Sequence, residues 1–252
     1  MANIAEMRAT VREQLRVAGL MALTPPGERV LEIGARDCFL TKKLTSLYKE
    51  VVALDLEKPE VDIPGVIPVK GDVTALDFPD DSFDTVFCTE VLEHIDPALL
   101  QQACDGIARV AKKYAVIGVP FRQDLRVDRT RCAACGGVNP TTGHLSSFDR
   151  DKPEKLFAGK MRAVEVHYVG FGARRTNPVS TWLFGLCGYP YGTYGQEEGC
   201  VHCGEKLVLP HITPLKWAVC FAARALDFIQ NKVFSQPARK RPNWIHILFE
   251  KA

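Results

Sequence analysis

The sequence predicts an α/β protein with a doubly wound, mostly parallel sheet, and three observations lead to that prediction. Short apolar or β-branched runs alternate with helical patterns as far as residue 120, as expected for βαβ units. The chain has 252 residues, 46% of them apolar, which is enough for one large core. After residue 120 the sequence becomes rich in Gly, Pro, Cys and Thr and loses its periodicity, which predicts an insertion built from loops.

The apolar runs predict seven strands, five of them before residue 120. One helix is expected to begin near Asp37, whose side chain is suited to cap it, and another to cover Pro97–Val110. The second helix is predicted to have an apolar face made by Leu99, Leu100, Ala103 and Ile107. The predicted strands are Arg29–Ile33, Val51–Asp55, Val66–Lys70, Phe83–Cys88, Tyr114–Pro120, Arg162–Val169 and Trp244–Phe249.

The N-terminal stretch has no apolar run of the signal-peptide kind, and no segment offers about 18 uncharged apolar residues for a membrane span. The default expectation is therefore a cytoplasmic protein. A transit peptide is the alternative, and Glu6 and Glu13 argue against it. A first helix is predicted with its apolar face at Ile4, Met7, Val11 and Leu15.

Charge is distributed unevenly along the chain. Residues 1–120 contain 13 Lys and Arg against 19 Asp and Glu, whereas residues 121–252 contain 19 against 11. An acidic first half suits a cationic ligand, and a basic second half favours an anionic substrate or surface. The alternative is that both imbalances are only solvated faces.

The loop after the first predicted strand is a candidate ligand site, because ligands of open α/β sheets bind at strand-to-helix turns. The strand ends in Glu32 and Gly34. A dinucleotide fold would need two more glycines here, but Arg36 and Phe39 occupy those positions and Asp37 would repel a pyrophosphate. A nicotinamide or flavin site is therefore disfavoured.

Carboxylates follow the ends of four successive strands, at Glu32, Asp55, Asp72 and Glu90. The carboxyl ends of parallel strands meet at one edge, so an acidic rim is expected there. Such a rim suits a ligand with an ammonium, a sulfonium and an adenosine, which describes S-adenosylmethionine. For any single one of these acids, a helix cap or a surface charge is an equally good explanation.

Three blocks resemble class I S-adenosylmethionine-dependent methyltransferases of the broad type-11 group: GERVLEIGARDCFLT, VVALDLE and VKGDVTALDFPDDSFDTVFCTEVLEHI. The resemblance covers residues 27 to about 120. It implies a Rossmann-like methyltransferase fold. The chain departs from the family pattern at Arg36 and Cys38, where glycines are usual.

The resemblance also implies residue roles. The turn from Glu32 to Asp37 would hold the methionine part, Asp55 would bind the ribose hydroxyls, and Asp72 would flank the adenine. Residues beyond the fourth strand would line the site. The implied cofactor-binding residues are Glu32, Gly34, Ala35, Arg36, Asp37, Asp55, Leu56, Gly71, Asp72, Val73, Thr89, Glu90 and His94.

Two C-x-x-C-G knuckles, Cys132 to Cys135 and Cys200 to Cys203, predict a structural zinc held by four thiolates. Each knuckle follows a strand, so both are expected above the carboxyl edge of the sheet, as a zinc-knuckle insertion or lid. The alternatives are two reduced pairs or a redox C-x-x-C, and His144 or His202 could replace a ligand. The other five cysteines are predicted to be core residues: Cys38, Cys88, Cys104, Cys187 and Cys220.

The prediction for the whole chain is a single methyltransferase domain over residues 1–252. Residues 1–120 would bind the cofactor, segments 121–160 and 170–242 would form the lid or insertion, and 243–252 the final strand. The segment CAACGGVNPTTGHLSSFD resembles an insertion in a subset of these enzymes, which directs attention to Gly143 and His144 as substrate contacts. The apolar stretch Leu215–Phe234 is predicted to pack on the domain, with a dimer, lipid or substrate surface as the alternative.

A catalytic base is needed only if the acceptor must lose a proton, and His144 is the first candidate and His94 the second. The residues Tyr189, Tyr191 and Tyr194 could shape an acceptor pocket. The expected acceptor is a small molecule: a sugar, a lipid or a secondary metabolite. The alternatives are a non-catalytic binding protein and a nucleic-acid methyltransferase, the latter disfavoured because CTEV, not an N-P-P-Y-like sequence, follows the fourth strand.

Overall fold

The structure is a computed structural model that describes residues 8–196, 199–234 and 241–252. Within these ranges the chain forms two compact units. The sheet unit contains residues 8–121, Phe148–Gly170 and Pro242–Ala252, and the insertion unit contains Arg122–Ser147 and Phe171–Arg241. The predicted division of the chain, with insertion segments 121–160 and 170–242, stays a prediction. The proposed role of the insertion as a lid stays a prediction.

A seven-stranded sheet forms the centre of the sheet unit, in the order β3-β2-β1-β4-β5-β9-β8. The first five strands are parallel, and β9 runs antiparallel between β5 and β8. The predicted mostly parallel seven-stranded sheet is confirmed. Its strands are β1 Gly27–Ile33, β2 Tyr48–Asp55, β3 Val66–Lys70, β4 Phe83–Thr89, β5 Ala111–Pro120, β8 Met161–Val169 and β9 Trp244–Lys251.

Both faces of the sheet are buried, as required of a doubly wound sheet. Val30 and Leu31 are neighbours in β1 and point to opposite faces, where they join two separate apolar clusters. The cluster around Leu31 packs against helix α3, Leu100–Val110, and the cluster around Val30 packs against helix α1, Val11–Leu23. Two short helices complete this unit, α2 Thr41–Leu44 and α4 Asp151–Leu156.

Two details of the predicted helices are wrong. The helix expected near Asp37 begins only at Thr41, because the backbone turns through left-handed conformations at Arg36 and Cys38. Asp37 therefore caps no helix; its carboxylate accepts a hydrogen bond from the Phe39 N–H at 3.4 Å. On α3, Leu100, Ala103 and Ile107 are buried as predicted, but Leu99 precedes the helix and is 42% exposed.

The first helix turns a different face to the core from the predicted one. Ile4 and Met7 lie outside the described residues, and Val11 and Leu15 are exposed. The buried face of α1 instead includes an ion pair between Glu13 and Arg16. A charged pair on a buried helix face needs partners deeper in the protein.

The insertion unit contains a small hairpin and two helices. Strands β6 Thr130–Arg131 and β7 Val138–Asn139 pair antiparallel beside the first cysteine knuckle. Helix α5, Pro178–Leu186, begins with a capping box in which Asn177 and Ser180 bond each other's backbone. Helix α6, Pro214–Phe234, confirms the helix predicted over Leu215–Phe234. No helix in the described ranges has the length and apolar character to cross a membrane.

Candidate cofactor site and cysteine cluster

The site expected from the sheet topology lies at the carboxyl ends of β1 and β4. Strand β1 is flanked by β2 on one side and β4 on the other, so the direction of winding reverses between β1 and β4. Open α/β sheets bind ligands in the crevice at this point, beyond the strand ends. The loops that follow β1, β2 and β4 contain most of the predicted cofactor-binding residues.

The turn after β1 brings its backbone close to the loop after β4. Gly34 has a φ of 80°, and a Cβ at this position would lie 2.4 Å from Val91 Cγ2. The N–H groups of Gly34 and Ala35 both donate to the Leu54 carbonyl, at 2.8 and 3.2 Å. Only glycine combines this backbone angle with this close approach.

The non-glycine residues of the turn keep the conformation that glycine would adopt. Arg36 has a φ of 43° and Cys38 a φ of 56°. These are the two positions at which the chain departs from the family pattern, so the departure changes the side chains and leaves the backbone path glycine-like. Such angles cost about 1–2 kcal/mol in a residue with a Cβ.

Asp55 at the end of β2 is fixed by backbone donors. Its Oδ2 accepts from the Arg36 N–H at 2.8 Å and its Oδ1 from the Leu56 N–H at 2.7 Å. The side chain is half-buried. Because each carboxylate oxygen has more than one lone pair, both oxygens can still accept a hydrogen bond from a ligand.

Glu32 differs from the other rim acids because it is buried within the sheet unit. The Thr41 hydroxyl donates to Glu32 Oε2, and Glu32 is 2% exposed. The pKa of Glu32 is raised to about 8, mainly by burial and also by the charges of Asp37 and Asp55, against the lowering effect of the Thr41 hydrogen bond. Glu32 is therefore mostly protonated at neutral pH.

The loop after β3 places Asp72 at the start of a short 3₁₀ turn, Val73–Ala75. Asp72 Oδ1 accepts from both the N–H and the hydroxyl of Thr74, each at 2.8 Å. The N–H of Gly71 donates to the Asp55 carbonyl at 2.8 Å, which joins this loop to the end of β2. A Cβ at Gly71 would lie 2.9 Å from Leu54, so this loop also depends on a glycine.

Beyond β4 the chain forms a buried acidic pair. Glu90 Oε2 accepts from the Trp244 indole N–H at 3.2 Å, while Glu90 Oε1 and both carboxylate oxygens of Glu93 find no hydrogen-bond partner among the described residues. Burial raises the pKa of Glu90, against the opposing charge of Arg16. Burial and the charge of Glu90 raise the pKa of Glu93 well above its ordinary value. The His94 N–H donates to the Val91 carbonyl at 2.9 Å.

Sequence reasoning missed Glu93, Arg16 and Trp244 as parts of this cluster. Arg16 is nearly fully buried and lies 5.9 Å from the Trp244 ring, so it faces the acids from α1. The signal for Glu93 was its position between the predicted site residues Glu90 and His94. The signal for Arg16 was absent, because an arginine on a helix is usually solvent-exposed.

The four knuckle cysteines meet within the insertion unit. Cys132 Sγ lies 3.7 Å from Cys203 Sγ, and Cys135 Sγ lies 3.6 Å from Cys200 Sγ. All four sulfur atoms lie within 4.8 Å of one another. These separations are too long for disulfides. Four Zn–S bonds of about 2.3 Å in a tetrahedron would separate the sulfurs by roughly 3.8 Å, so the cluster has the size that zinc requires.

The two knuckles share one local conformation. In each, the N–H of the glycine after the second cysteine donates to the carbonyl of the first: Gly136 to Cys132 at 3.0 Å and Gly204 to Cys200 at 2.8 Å. Both glycines have positive φ, 73° and 77°. Asn139 Oδ1 accepts from the Val201 N–H at 2.8 Å and joins one knuckle to the other.

The other residues predicted to have a role in the insertion unit lie in different surroundings. His144 Nδ1 lies 2.6 Å from Gln123 Oε1, and His202 Nε2 lies 3.1 Å from the Val138 carbonyl, so neither histidine is part of the four-sulfur cluster. Tyr189 and Tyr191 line a cavity of about 470 Å³. Tyr194 instead packs against the cysteine cluster.

The remaining cysteines are buried as predicted: Cys38, Cys88, Cys104, Cys187 and Cys220. Burial raises the pKa of the thiol at Cys38, Cys88, Cys104 and Cys220. Their role is that of small apolar side chains.

Comparison with known proteins agrees with this geometry. The family model described as a methyltransferase domain matches residues 31–117, which contain the β1 turn, Asp55 and the loop after β4. This segment is similar to methyltransferase domains. No curated protein matches the chain.

Several solved structures are similar to this chain over more of its length than the matched segment. A SAM-dependent methyltransferase from Archaeoglobus fulgidus has a TM-score of 0.56 and 15% identity, with 98% of each chain covered. The N-methyltransferase NodS from Bradyrhizobium japonicum, in complex with S-adenosylhomocysteine, has a TM-score of 0.51 and 19% identity over 68% of this chain and 88% of its own. The cyclase SpnF has a TM-score of 0.53 and 15% identity over 94% and 80%. The chain has the Rossmann-like methyltransferase fold.

Proposed function

We propose that the chain is an enzyme that transfers the methyl group of S-adenosylmethionine to a small-molecule acceptor: a sugar, a lipid or a secondary metabolite. The observation that carries this proposal is the contact of the Arg36 N–H with Asp55, which fixes a carboxylate at the switch point of the sheet. The family match over residues 31–117 supports it. The fold alone does not decide the reaction, since SpnF is a cyclase on the same fold.

The residues at the strand ends suit this cofactor. The missing Cβ of Gly34 keeps the backbone turn open beside Val91, where a larger residue would collide. Asp55 has lone pairs left for the two ribose hydroxyls, and a carboxylate on a hydroxyl makes a charge-assisted hydrogen bond. The carboxylates of Asp37, Asp55 and Asp72 at this edge would attract a cationic ligand and repel a pyrophosphate.

Each loop would have its own part in binding. The turn of Glu32 to Asp37 would hold the methionine part, Asp55 and Leu56 the ribose, and Gly71, Asp72 and Val73 the adenine. Thr89, Glu90 and His94 would line the site beyond β4. When bound, S-adenosylmethionine supplies a methyl group on a positively charged sulfur. The protein must align the acceptor with that methyl group and exclude water.

For an acceptor that must lose a proton, His144 is the first candidate base and His94 the second. Gln123 Oε1 lies 2.6 Å from His144 Nδ1 and orients the imidazole ring, and an imidazole can exchange a proton near neutral pH. The Gly143 residue before it has a φ of 71°, which sets the local path of the chain.

The proposal includes one structural zinc ion held by Cys132, Cys135, Cys200 and Cys203. The support is the sulfur separations and the matched glycine-backed turns. With four protein ligands and no open position, such an ion orders loops and does not activate a substrate. Two segments with little apolar periodicity gain their order in this way.

The test is a transfer assay with S-adenosylmethionine labelled on its methyl group. The labelled cofactor is incubated with the protein and separately with small-molecule extract, lipid extract, RNA and DNA. We expect label in a small-molecule or lipid fraction, and none when Asp55→Ala replaces the wild type. Label only in nucleic acid would refute the acceptor class. Cofactor binding without transfer to any fraction would refute the enzyme and favour a binding protein.

A further inference from the structure

The cavity of the insertion unit is lined by many charged side chains. Its lining contains five arginines and two aspartates: Arg126, Arg129, Arg174, Arg175, Arg224, Asp128 and Asp227. At about 470 Å³ it is large enough for a substituted phosphate or a small ligand. None of the predicted cofactor-binding residues lines this cavity.

Two of the five arginines are neutralised by carboxylates. Arg126 makes two hydrogen bonds to Asp124, at 2.8 and 2.9 Å, and Arg174 pairs with Asp128. The carboxylate of Asp227 makes no ion pair with these two arginines; it accepts hydrogen bonds from the hydroxyls of Thr176 and Ser180. The five arginines therefore face three carboxylates, those of Asp124, Asp128 and Asp227, and an excess of positive charge remains.

Arg129, Arg175 and Arg224 have no carboxylate partner among the described residues. Arg129 donates to the Leu125 carbonyl at 3.1 Å, and the Arg224 guanidinium lies 4.4 Å above the Tyr191 ring. Burial lowers the pKa of Arg175, and the charge of Arg241 lowers it further. Crowded cations in a partly enclosed space favour an anion, and guanidinium groups match phosphate oxygens in geometry.

An aromatic path leads away from the arginines. Tyr191 lines the cavity and contacts Phe184 of α5 and Trp217 of α6, with ring centroids 6.1 and 5.6 Å apart. Trp217, Phe221 and Phe228 follow one another at spacings of four and seven residues, so they lie along one stripe of α6 that also contains Arg224. The stripe thus begins at the cavity and continues as apolar surface.

The apolar surface is exposed on both helices of this unit. On α6, Phe221 is 73% exposed and Phe228 63%; on α5, Trp182 is 63% exposed. Val179 and Leu186 are also exposed on α5, and Leu215 and Ile229 are exposed on another side of α6. Exposed apolar patches of this extent mark a binding surface, and aromatic residues with arginines suit the boundary between lipid headgroups and acyl chains.

We propose that the insertion unit binds a lipid that carries a phosphate group, with the phosphate in the arginine-lined cavity and the hydrocarbon on the exposed faces of α5 and α6. Charge complementarity selects this occupant, because a neutral lipid or an apolar protein would leave the excess positive charge of the arginines without counter-ions. The binding does not depend on methyl transfer. It goes beyond the proposed function by giving the chain a membrane-surface or lipid-linked ligand.

The test is co-sedimentation of the full chain with vesicles of phosphatidylcholine, either alone or mixed with phosphatidic acid. We expect binding to the mixed vesicles and little to the neutral ones. Arg175→Gln and Arg224→Gln should each weaken binding about tenfold, as for the loss of one charge-assisted contact. Trp217→Ser should weaken vesicle binding and leave the affinity for inorganic phosphate, measured by calorimetry, unchanged.

Arg150→Gln is the matched control, because this arginine is exposed and pairs only with Glu154 on the surface of the sheet unit. Equal loss in this variant, or equal binding to neutral vesicles, would overturn the proposal. If inorganic phosphate binds as tightly as the vesicles, the cavity is a site for a free anion, and the proposal that a lipid binds there is overturned. A dimer that Phe221→Ser dissociates, without vesicle binding, would assign the apolar face to a second copy.

Zinc content and thermal unfolding of every variant establish that it is folded. S-adenosylmethionine binding, measured on the same samples, separates this proposal from the proposed function. Lost vesicle binding with normal cofactor binding would overturn the lipid site alone, whereas normal vesicle binding without cofactor binding would overturn only the methyltransferase.

Discussion

The backbone N–H of Arg36 donates to Asp55 Oδ2 over 2.8 Å, so the turn after β1 is bonded to the end of β2. Arg36 reaches this position through a left-handed backbone conformation, which an arginine adopts only at some cost. The other oxygen of Asp55 is held by the Leu56 N–H. The carboxylate is therefore oriented before any ligand arrives, and a ligand that uses it need not order the loop.

The first prediction concerns Gly34. A Gly34→Ala variant should lose more stability than Gly159→Ala, although both glycines have similar φ values of 80° and 75°. The reason is that a Cβ at Gly34 meets Val91, whereas a Cβ at Gly159 meets nothing within 4 Å. Thermal unfolding compares the two variants. Adding Val91→Ala to Gly34→Ala should remove the excess loss, and an excess that persists would show that contact with Val91 is not its cause.

The second prediction concerns Glu32 and pH. Its pKa is raised to about 8 in the folded protein from an ordinary 4.5, so between these values the folded state keeps a proton that the unfolded state releases. Stability contributed by this group is therefore lost as pH rises from about 4.5 to about 8. In Glu32→Gln this loss should disappear. Denaturant unfolding of both proteins across that range measures it, and parallel curves would contradict the assignment.

The third prediction concerns His246, which is fully buried in β9 with neither ring nitrogen bonded to a described residue. Burial lowers its pKa to about 3, and the charge of Arg16 acts in the same direction. Because the unfolded histidine takes up a proton below about 6.5, stability should fall as pH drops from about 6.5 toward 3. His246→Leu should flatten this dependence. The exposed His211, changed to Gln, serves as the control and should keep the wild-type acid profile.

The fourth prediction concerns the metal. Elemental analysis should give one zinc per chain in the wild type and in Cys38→Ala, and none in Cys200→Ser. Loss of zinc should expose the insertion unit to proteolysis first, since the sheet has its own apolar core. Cofactor binding should survive chelation. A Cys200→Ser protein that keeps its zinc, or a Cys38→Ala protein that loses it, would show that the ligand set is wrong.

The parts of the fold that follow from local pattern were predictable from the sequence. Val30, Val51 and Val86 sit in short apolar runs between helices, and these runs became parallel strands. The cysteine cluster was predictable because each C-x-x-C-G turn is a local structure. The two turns are far apart along the chain, but their matching C-x-x-C-G pattern indicated that they form one site.

The parts that depend on distant contacts were not predictable. Arg16 does not belong to the apolar face predicted for the first helix, but its partners Glu13 and Glu90 make a buried position tolerable. Asp37 is a good capping residue by type, yet positive φ at Cys38 delays the helix to Thr41. The arginines of the cavity come from three separate segments, so no window of sequence contains their cluster.

The measurement that tests the account most directly is calorimetric titration of S-adenosylmethionine into the wild type, Asp55→Ala, Asp55→Asn and Asp62→Asn. Asp62 is exposed and lies outside the site, so its variant should bind like the wild type. Asp55→Ala should weaken binding by about 1.5–3 kcal/mol. Asp55→Asn keeps an acceptor for the Arg36 N–H. Its affinity for S-adenosylmethionine should still be weakened, because the negatively charged acceptor of the ribose hydroxyls is lost. Unchanged affinity in a folded Asp55→Ala protein would contradict the account.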